Sequence, residues 1–158
     1  MKIPITATIN GRERELAVKP NQTLLELLRD ELRLKGSVEG CGVGVCGSCT
    51  VLIEGRPVSS CLVLATNIEG KQVTTIEGLS QGDRLDPIQK AFLDHQAFQC
   101  GYCTPGMIMA TKGLLRSNPH PTEEETRDYL SGNLCRCGTY KEVLAAVKEL
   151  AGKPSSGD

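Results

Sequence analysis

Cys41, Cys46 and Cys49 fall within nine residues in the spacing C-x4-C-x2-C, and Cys61 follows after eleven intervening residues. A chain that brings four thiols to one place this way has few options. The spacing is that of plant-type [2Fe–2S] ligation. The stretch between the ligands holds Gly40, Gly42, Gly44 and Gly47. Glycine reaches positive φ without steric cost, so such a loop can curl tightly. Successive backbone N–H groups then turn inward and form a concavity suited to an anionic centre. Four cysteines can also hold zinc, and C-x2-C is a common zinc element. Zinc sites usually pair two short knuckles, whereas here one glycine-dense loop supplies three ligands.

A second set of four follows: Cys100 and Cys103 as C-x2-C, then Cys135 and Cys137 as C-x-C. Each pair stands just before a predicted helix, one opening at Thr104-Pro105 and the other at Thr139. A helix N-terminus offers free N–H groups and the positive end of its dipole, which favour an anionic centre. Arg136 and Lys141 add positive charge nearby. This spacing is not plant-type, and both iron–sulfur and zinc fit it. The division of eight cysteines into four and four, with none left over, favours a second iron–sulfur centre.

The rest of the chain reads as a scaffold for these two sets. Residues 3–9 and 12–18 alternate around Asn10-Gly11, a hairpin signal. Thr23-Leu24-Leu25-Glu26 is a capping box. It opens a helix with Leu24, Leu25, Leu27, Leu28 and Leu32 on one face, ended by Gly36. Residues 50–54 read as a strand, Gly55-Arg56 as a turn, 57–64 as the segment carrying Cys61, and 71–76 as a last strand. Residues 78–84 are polar and read as a linker. The second half reads as helices. Asp86-Pro87-Ile88-Gln89 combines an N-cap, a Pro at the first helical position and Gln at N3, opening a helix to about residue 97. Thr104 opens the next, with Met107, Ile108, Ala110, Thr111, Leu114 and Leu115 inward. Thr122-Glu123-Glu124-Glu125 and Thr139-Tyr140-Lys141-Glu142 are further capping boxes. The expected class is α+β: a small β+α unit over 1–77, a linker over 78–84, a compact four-helix bundle over 85–151, and a disordered tail over 152–158.

Composition narrows the partners. Aromatics are 3% of 158 residues and Trp is absent. Two halves of about 75 residues each would be marginal on such thin cores without a staple, which metal centres provide. The net charge of -1, with no basic patch, argues against nucleic acid. No apolar run approaches the length of a membrane helix. The first residues lack an apolar core and cleavage site of a signal peptide. A cytoplasmic, reducing setting is expected, in which the cysteines act as ligands and not as disulfides.

With Gln99-Cys100-Gly101-Tyr102-Cys103-Thr104-Pro105-Gly106 and Gly132-Asn133-Leu134-Cys135-Arg136-Cys137 added to the first cysteine set, the chain resembles the small iron–sulfur subunit of the xanthine oxidase family of molybdenum hydroxylases. The resemblance spans about residues 1–150 and implies that the first unit is a plant-type ferredoxin-like (β-grasp) domain and the second a four-helix bundle. It implies two [2Fe–2S] clusters, with Cys41, Cys46, Cys49 and Cys61 holding the one nearer FAD and Cys100, Cys103, Cys135 and Cys137 the one nearer molybdenum. It implies that Gln99 and Cys137 approach the molybdopterin. It also implies two partners, a large molybdopterin subunit with an FAD-binding medium subunit, in a heterotrimer or its dimer. The implied work is one-electron transfer between them, with an aldehyde or an N-heterocycle such as a purine as substrate and no substrate site in this chain. Many members read Cys-Thr-Gly-Tyr after the C-x-C pair, whereas this chain reads Cys137-Gly138-Thr139-Tyr140. Two other readings remain: a free-standing ferredoxin-like carrier, which would not need the helical half, and a zinc-binding structural or assembly module. His95 and His120 are expected in surface or packing roles, Met107 and Met109 in the core, and Tyr102 and Tyr140 in packing around the second cysteine set.

Overall fold

Asn10 and Gly11 take φ of 50° and 75°. Both central residues of a type I′ turn need positive φ, and this turn matches the twist of the flanking strands. Strands β1 (Ile3–Ile9) and β2 (Arg12–Val18) therefore pair antiparallel as the expected hairpin, with Ile3 opposite Val18 and Ile9 opposite Arg12. The structure, a computed structural model, describes residues 1–152. The tail expected over 152–158 lies outside the described residues from 153 onward.

The Thr23 capping box forms as expected, with the Thr23 hydroxyl accepting from the Glu26 N–H. The helix it opens differs from expectation. Leu24–Glu26 (α1) is α-helical, but Leu27–Glu31 continues as a π-helix, and the chain leaves it at Leu32 rather than Gly36. Leu24, Leu25, Leu27 and Leu28 are all buried, so the segment turns four leucines into the core within five residues. Arg29 then binds the carbonyls of Lys35 and Ser37, closing the loop that follows. Gly36 serves a different purpose, since a Cβ there would lie 2.2 Å from Ile76 Cγ2. It is a close-approach glycine, not a helix stop.

β3 (Thr50–Ile53) and β4 (Arg56–Ser59) form the second hairpin. Its turn is Glu54-Gly55, at φ of 51° and 75°, one residue before the expected Gly55-Arg56. Glu54 can take this strained position because it is tied to Gln72 twice, by its N–H to the Gln72 carbonyl and by its carboxylate to the Gln72 N–H. β5 (Gln72–Thr74) is shorter than the expected 71–76. The Thr75 N–H donates to Asn10 Oδ1 and leaves the ladder, and Ile76–Gly78 forms a 3₁₀ turn. The five strands make one mixed sheet in the order β2-β1-β5-β3-β4, with β1 and β5 parallel.

The helical half holds α2 (Pro87–Asp94), α3 (Thr104–Ser117), α4 (Glu123–Tyr129) and α5 (Tyr140–Ala151). The Asp86 and Thr122 capping boxes form as expected. The box expected at Thr139 does not. Thr23, Asp86 and Thr122 have extended ψ of 155°, 144° and 166°, which aims the side chain at the helix N–H groups, whereas Thr139 has ψ of 21° and makes no side-chain cap. Each half has its own apolar core, one around Ile5, Ile9, Leu24, Leu28 and Val73, the other around Phe92, Met107, Leu114 and Val147. Met107 and Met109 are both buried, as expected.

α3 joins the two halves. From Gly106 to Leu114 every residue except Lys112 is buried, a wider burial than the single inward face expected. The extra buried surface comes from Gly106 and Gly113, two turns apart, against which the first cysteine loop and β4 lie. A Cβ on Gly106 would meet the Gly47 carbonyl oxygen at 2.3 Å, and one on Gly113 would meet Pro57 Cδ at 2.7 Å. The residues expected as a linker are engaged too: Leu79 packs on the helical core and Ser80 Oγ bonds Gln89 Oε1 at 2.8 Å. In an ordinary helix interior Gly→Ala gains about 1 kcal/mol. Here Gly106→Ala is expected to cost about 1–3 kcal/mol instead, because the clash is with backbone. A lowered melting temperature in thermal unfolding would bear this out, and a raised one would refute it.

Candidate metal centres

The first cysteine loop is shaped by glycine in two ways. Gly42, Gly44 and Gly47 take φ of 67°, 76° and 72°, so three of the four expected glycines supply left-handed backbone. Gly40 does not; a Cβ there would lie 2.8 Å from Cys46 Sγ, so it makes room for sulfur. The curl brings N–H groups onto the thiols. Val43 N lies 3.4 Å from Cys41 Sγ. The Val43 N–H, with that of Cys46, holds the Cys41 thiol down at about 6. Cys61 is pushed the other way, up to about 11, first by burial and then by the neighbouring Cys49 thiol. The sulfurs come together as pairs, Cys41 with Cys46 and Cys49 with Cys61, and Cys41 also acts on Cys61 across the site.

The second set is assembled by two helix starts. Cys103 is the N-cap residue of α3, and Cys135 and Cys137 precede α5. Burial pushes Cys103 up to about 12, helped by the Cys135 sulfur. For Cys135 burial acts upward as well, but the Thr139 hydroxyl and the N–H groups of Thr139 and Gly138 outweigh it and bring the thiol down to about 7. Cys103 and Cys135 thus sit beside each other, and each thiol is shifted by the other's sulfur. Cys100 is exposed and Cys137 half-buried.

All eight cysteines are free. Among the described residues no three His, Cys, Asp or Glu side chains converge as ligands of a single ion would. Paired sulfurs suit a binuclear centre, in which each iron takes two thiolates, and the donor chemistry is that of iron–sulfur ligation. The Thr104 hydroxyl, next to Cys103 in the chain, is buried without a partner, a donor left over for a sulfur acceptor. The residues present thus fit two [2Fe–2S] groups. Neither histidine joins them: His95 Nε2 pairs with Glu149 Oε2 at 2.6 Å, and His120 Nδ1 bonds the Ala151 carbonyl oxygen.

The two loops are joined directly. The Leu134 N–H donates to the Cys46 carbonyl oxygen at 2.8 Å. Buried Asn133 donates from Nδ2 to the Gly47 carbonyl oxygen at 3.1 Å and lies 3.4 Å from Thr50 Oγ1. Tyr102 donates its hydroxyl proton to the Glu39 carbonyl oxygen, and Tyr140 accepts from the Cys135 N–H at 2.8 Å. Both tyrosines thus do more than pack. Asn133, Gly106 and Thr139 were missed as functional residues by sequence reasoning; the pairing of Gly106 with Gly113 seven residues on was the one local signal. Gln99 is exposed beside Cys100.

Comparison with known proteins settles the kind of centre. A family described as "2Fe-2S iron-sulfur cluster binding domain" matches residues 7–79, and one described as "[2Fe-2S] binding domain" matches residues 75–148. The nicotine 6-hydroxylase small subunit of Paenarthrobacter nicotinovorans is 45% identical over 152 residues, covering 96% of this chain and 92% of its own. The aldehyde oxidoreductase iron-sulfur-binding subunit PaoA of Escherichia coli is 43% identical over 169 residues, covering 98% of this chain and 74% of its own. The chain belongs to the small iron–sulfur subunits of the molybdenum hydroxylases. The solved structure of quinoline 2-oxidoreductase from Pseudomonas putida 86 superposes with a TM-score of 0.91 at 46% identity, over 95% of this chain and 93% of that one. In the aldehyde oxidoreductase of Megalodesulfovibrio gigas the matching region is 16% of a longer chain.

Membership gives this small subunit two [2Fe–2S] groups and an electron-transfer role within an oxidoreductase. The mixed sheet with a helical half agrees with a ferredoxin-like domain plus a helical domain. Among the described residues no helix is long and apolar enough to cross a membrane. Asn133→Ala would remove the one donor that the helical half gives the Gly47 carbonyl, leaving that oxygen to the Thr50 N–H and hydroxyl. It is expected to lower unfolding free energy by about 0.5–1.5 kcal/mol. Urea unfolding checks this, and an unchanged midpoint would show that the contact carries no stability.

Proposed function

We propose that this subunit carries single electrons between a molybdopterin site in a large partner and FAD in a medium partner. The ligands are Cys41, Cys46, Cys49 and Cys61 on the FAD side and Cys100, Cys103, Cys135 and Cys137 on the molybdenum side. One observation carries the reading: the Leu134 N–H, one residue before Cys135, is bonded to the carbonyl of Cys46, so a ligand residue of one set and a neighbour of a ligand in the other share a hydrogen bond. A free-standing carrier with one working centre would have no use for that join.

Each [2Fe–2S] group supplies reversible one-electron chemistry that no side chain in the chain provides. The residues do the rest. The thiolates hold the iron, the Val43 N–H stabilises sulfur charge, and the buried Cys49 and Cys61 keep water from the inner side. Outward, apolar side chains stand exposed over both sets: Val43, Val45 and Leu62 at 60–65% over the first, and Tyr102 and Leu134 at 52% and 50% beside the second. Exposed apolar patches of this kind mark protein–protein contact. The first patch is read as the face toward the FAD subunit. Exposed Gln99 and half-buried Cys137 are read as the approach to the pterin.

The finer organisation belongs to the same reading: a β-grasp domain over 1–77, a connection over 78–84, a four-helix bundle over 85–151, and a cytoplasmic heterotrimer or its dimer. The names of the relatives, an aldehyde oxidoreductase, a nicotine hydroxylase and a probable xanthine dehydrogenase, support an aldehyde or an N-heterocycle such as a purine as the substrate of the large subunit.

Iron and acid-labile sulfide analysis with EPR of the dithionite-reduced protein is the direct test. Iron and sulfide for two binuclear centres, with two distinguishable signals, is the expected result; zinc in the second set would overturn it. Cys46→Ser is expected to abolish one signal and unfold much of the first half, because the ligand loop closes only on metal. Circular dichroism and iron content report both effects. Gln99→Ala is expected to keep both signals while slowing turnover or weakening association in the assembled complex. Unchanged kinetics would remove Gln99 from the pterin approach.

A further inference from the structure

Thr139 is 3% exposed, and its hydroxyl lies 3.2 Å from Cys135 Sγ. Its position at the start of α5 would ordinarily make it a capping residue, yet it makes no cap bond. Among the described residues the Cys135 sulfur is the one side-chain partner of this hydroxyl. The backbone of Cys135 is held independently, its N–H by the Tyr140 hydroxyl and its carbonyl by the Gly138 N–H. The Thr139 hydroxyl is therefore not needed to place the residue. As a metal ligand Cys135 carries no proton, so in this pair only the hydroxyl can donate.

We propose that Thr139 donates a hydrogen bond to the Cys135 sulfur and thereby raises the reduction potential of the second [2Fe–2S] group. The proposal rests on the ligand reading of Cys135 given above. A donor at a ligand sulfur stabilises the extra negative charge of the one-electron-reduced state, and removing it makes reduction harder. The first set differs: Cys41 receives a backbone N–H from Val43, which no side-chain substitution removes. Thr139 thus makes the second potential separately adjustable. It is a positioning residue for charge and not a ligand.

The test is a potentiometric EPR titration of the assembled complex carrying Thr139→Val or Thr139→Ser, with iron and sulfide measured in each. Thr139→Val is expected to keep full iron and sulfide content and to titrate one of the two signals at lower potential, leaving the other unmoved. Thr139→Ser, which keeps the hydroxyl, is expected to titrate as wild type. Unmoved potentials in Thr139→Val with full iron content would overturn the proposal, as would an equal drop in Thr139→Ser. If Val hinders incorporation of the second group, Thr139→Ala carries the same comparison. Loss of the second signal in Val, Ala and Ser variants alike would assign Thr139 to packing and overturn the proposal. Absence of the second signal in the wild type would instead overturn the ligand reading on which it stands.

Discussion

A buried Asn133 amide reaching the Gly47 carbonyl, with the Leu134 N–H on the Cys46 carbonyl beside it, ties the first cysteine loop to the helical half. The contact is dense because glycine permits it. A Cβ on Gly47 would lie 2.5 Å from the Gly132 carbonyl oxygen, and Gly106 comes as close from the other side. The same loop must curl around four sulfurs, and Gly47 serves both demands, at φ of 72° and at van der Waals contact. Side chains at these positions would force the loop either off the sulfurs or off α3. The two apolar cores are separate and contain few aromatic side chains, so the join between them matters more than in a chain with one large core.

Charge on sulfur is managed differently in the two sets. In the first, the loop folds its own backbone amides onto Cys41, a solution built from glycine conformations. In the second, helix starts and a hydroxyl do the work, with Cys103 just before α3 and Thr139 facing Cys135. Amides in a loop are fixed by the fold, whereas a hydroxyl is one substitution away from removal. The two cysteine loops are joined by the hydrogen bond from the Leu134 N–H to the Cys46 carbonyl, which suits a chain that passes electrons and keeps each centre distinct.

Several features could be read directly from residue order, because their causes are local. Asn10-Gly11 needs no distant partner to turn. The capping boxes at Thr23, Asp86 and Thr122 are closed within four residues, and the cysteine spacings state how a loop can present its sulfurs. The failed box at Thr139 had the same pattern, but a buried sulfur competed for its hydroxyl and the backbone adopted a different ψ. The π-helical turn after α1 and the early exit at Leu32 were set by packing four leucines at once, which no periodicity encodes.

By itself the order of residues determined the two cysteine sets, the hairpin, the helix starts and the split into a β-rich and a helical half, since each follows from chemistry among near neighbours. Only the tertiary structure decided how the halves meet. Asn133 and Gly47 are 86 residues apart, Glu39 and Tyr102 63, and neither pair carries a mark in the chain that names the other. A hydrogen bond across such a separation exists because two surfaces fit after folding. For the same reason Gly36, read from the sequence as a helix stop, proved to be room for Ile76, and Gly106 proved to be room for Gly47.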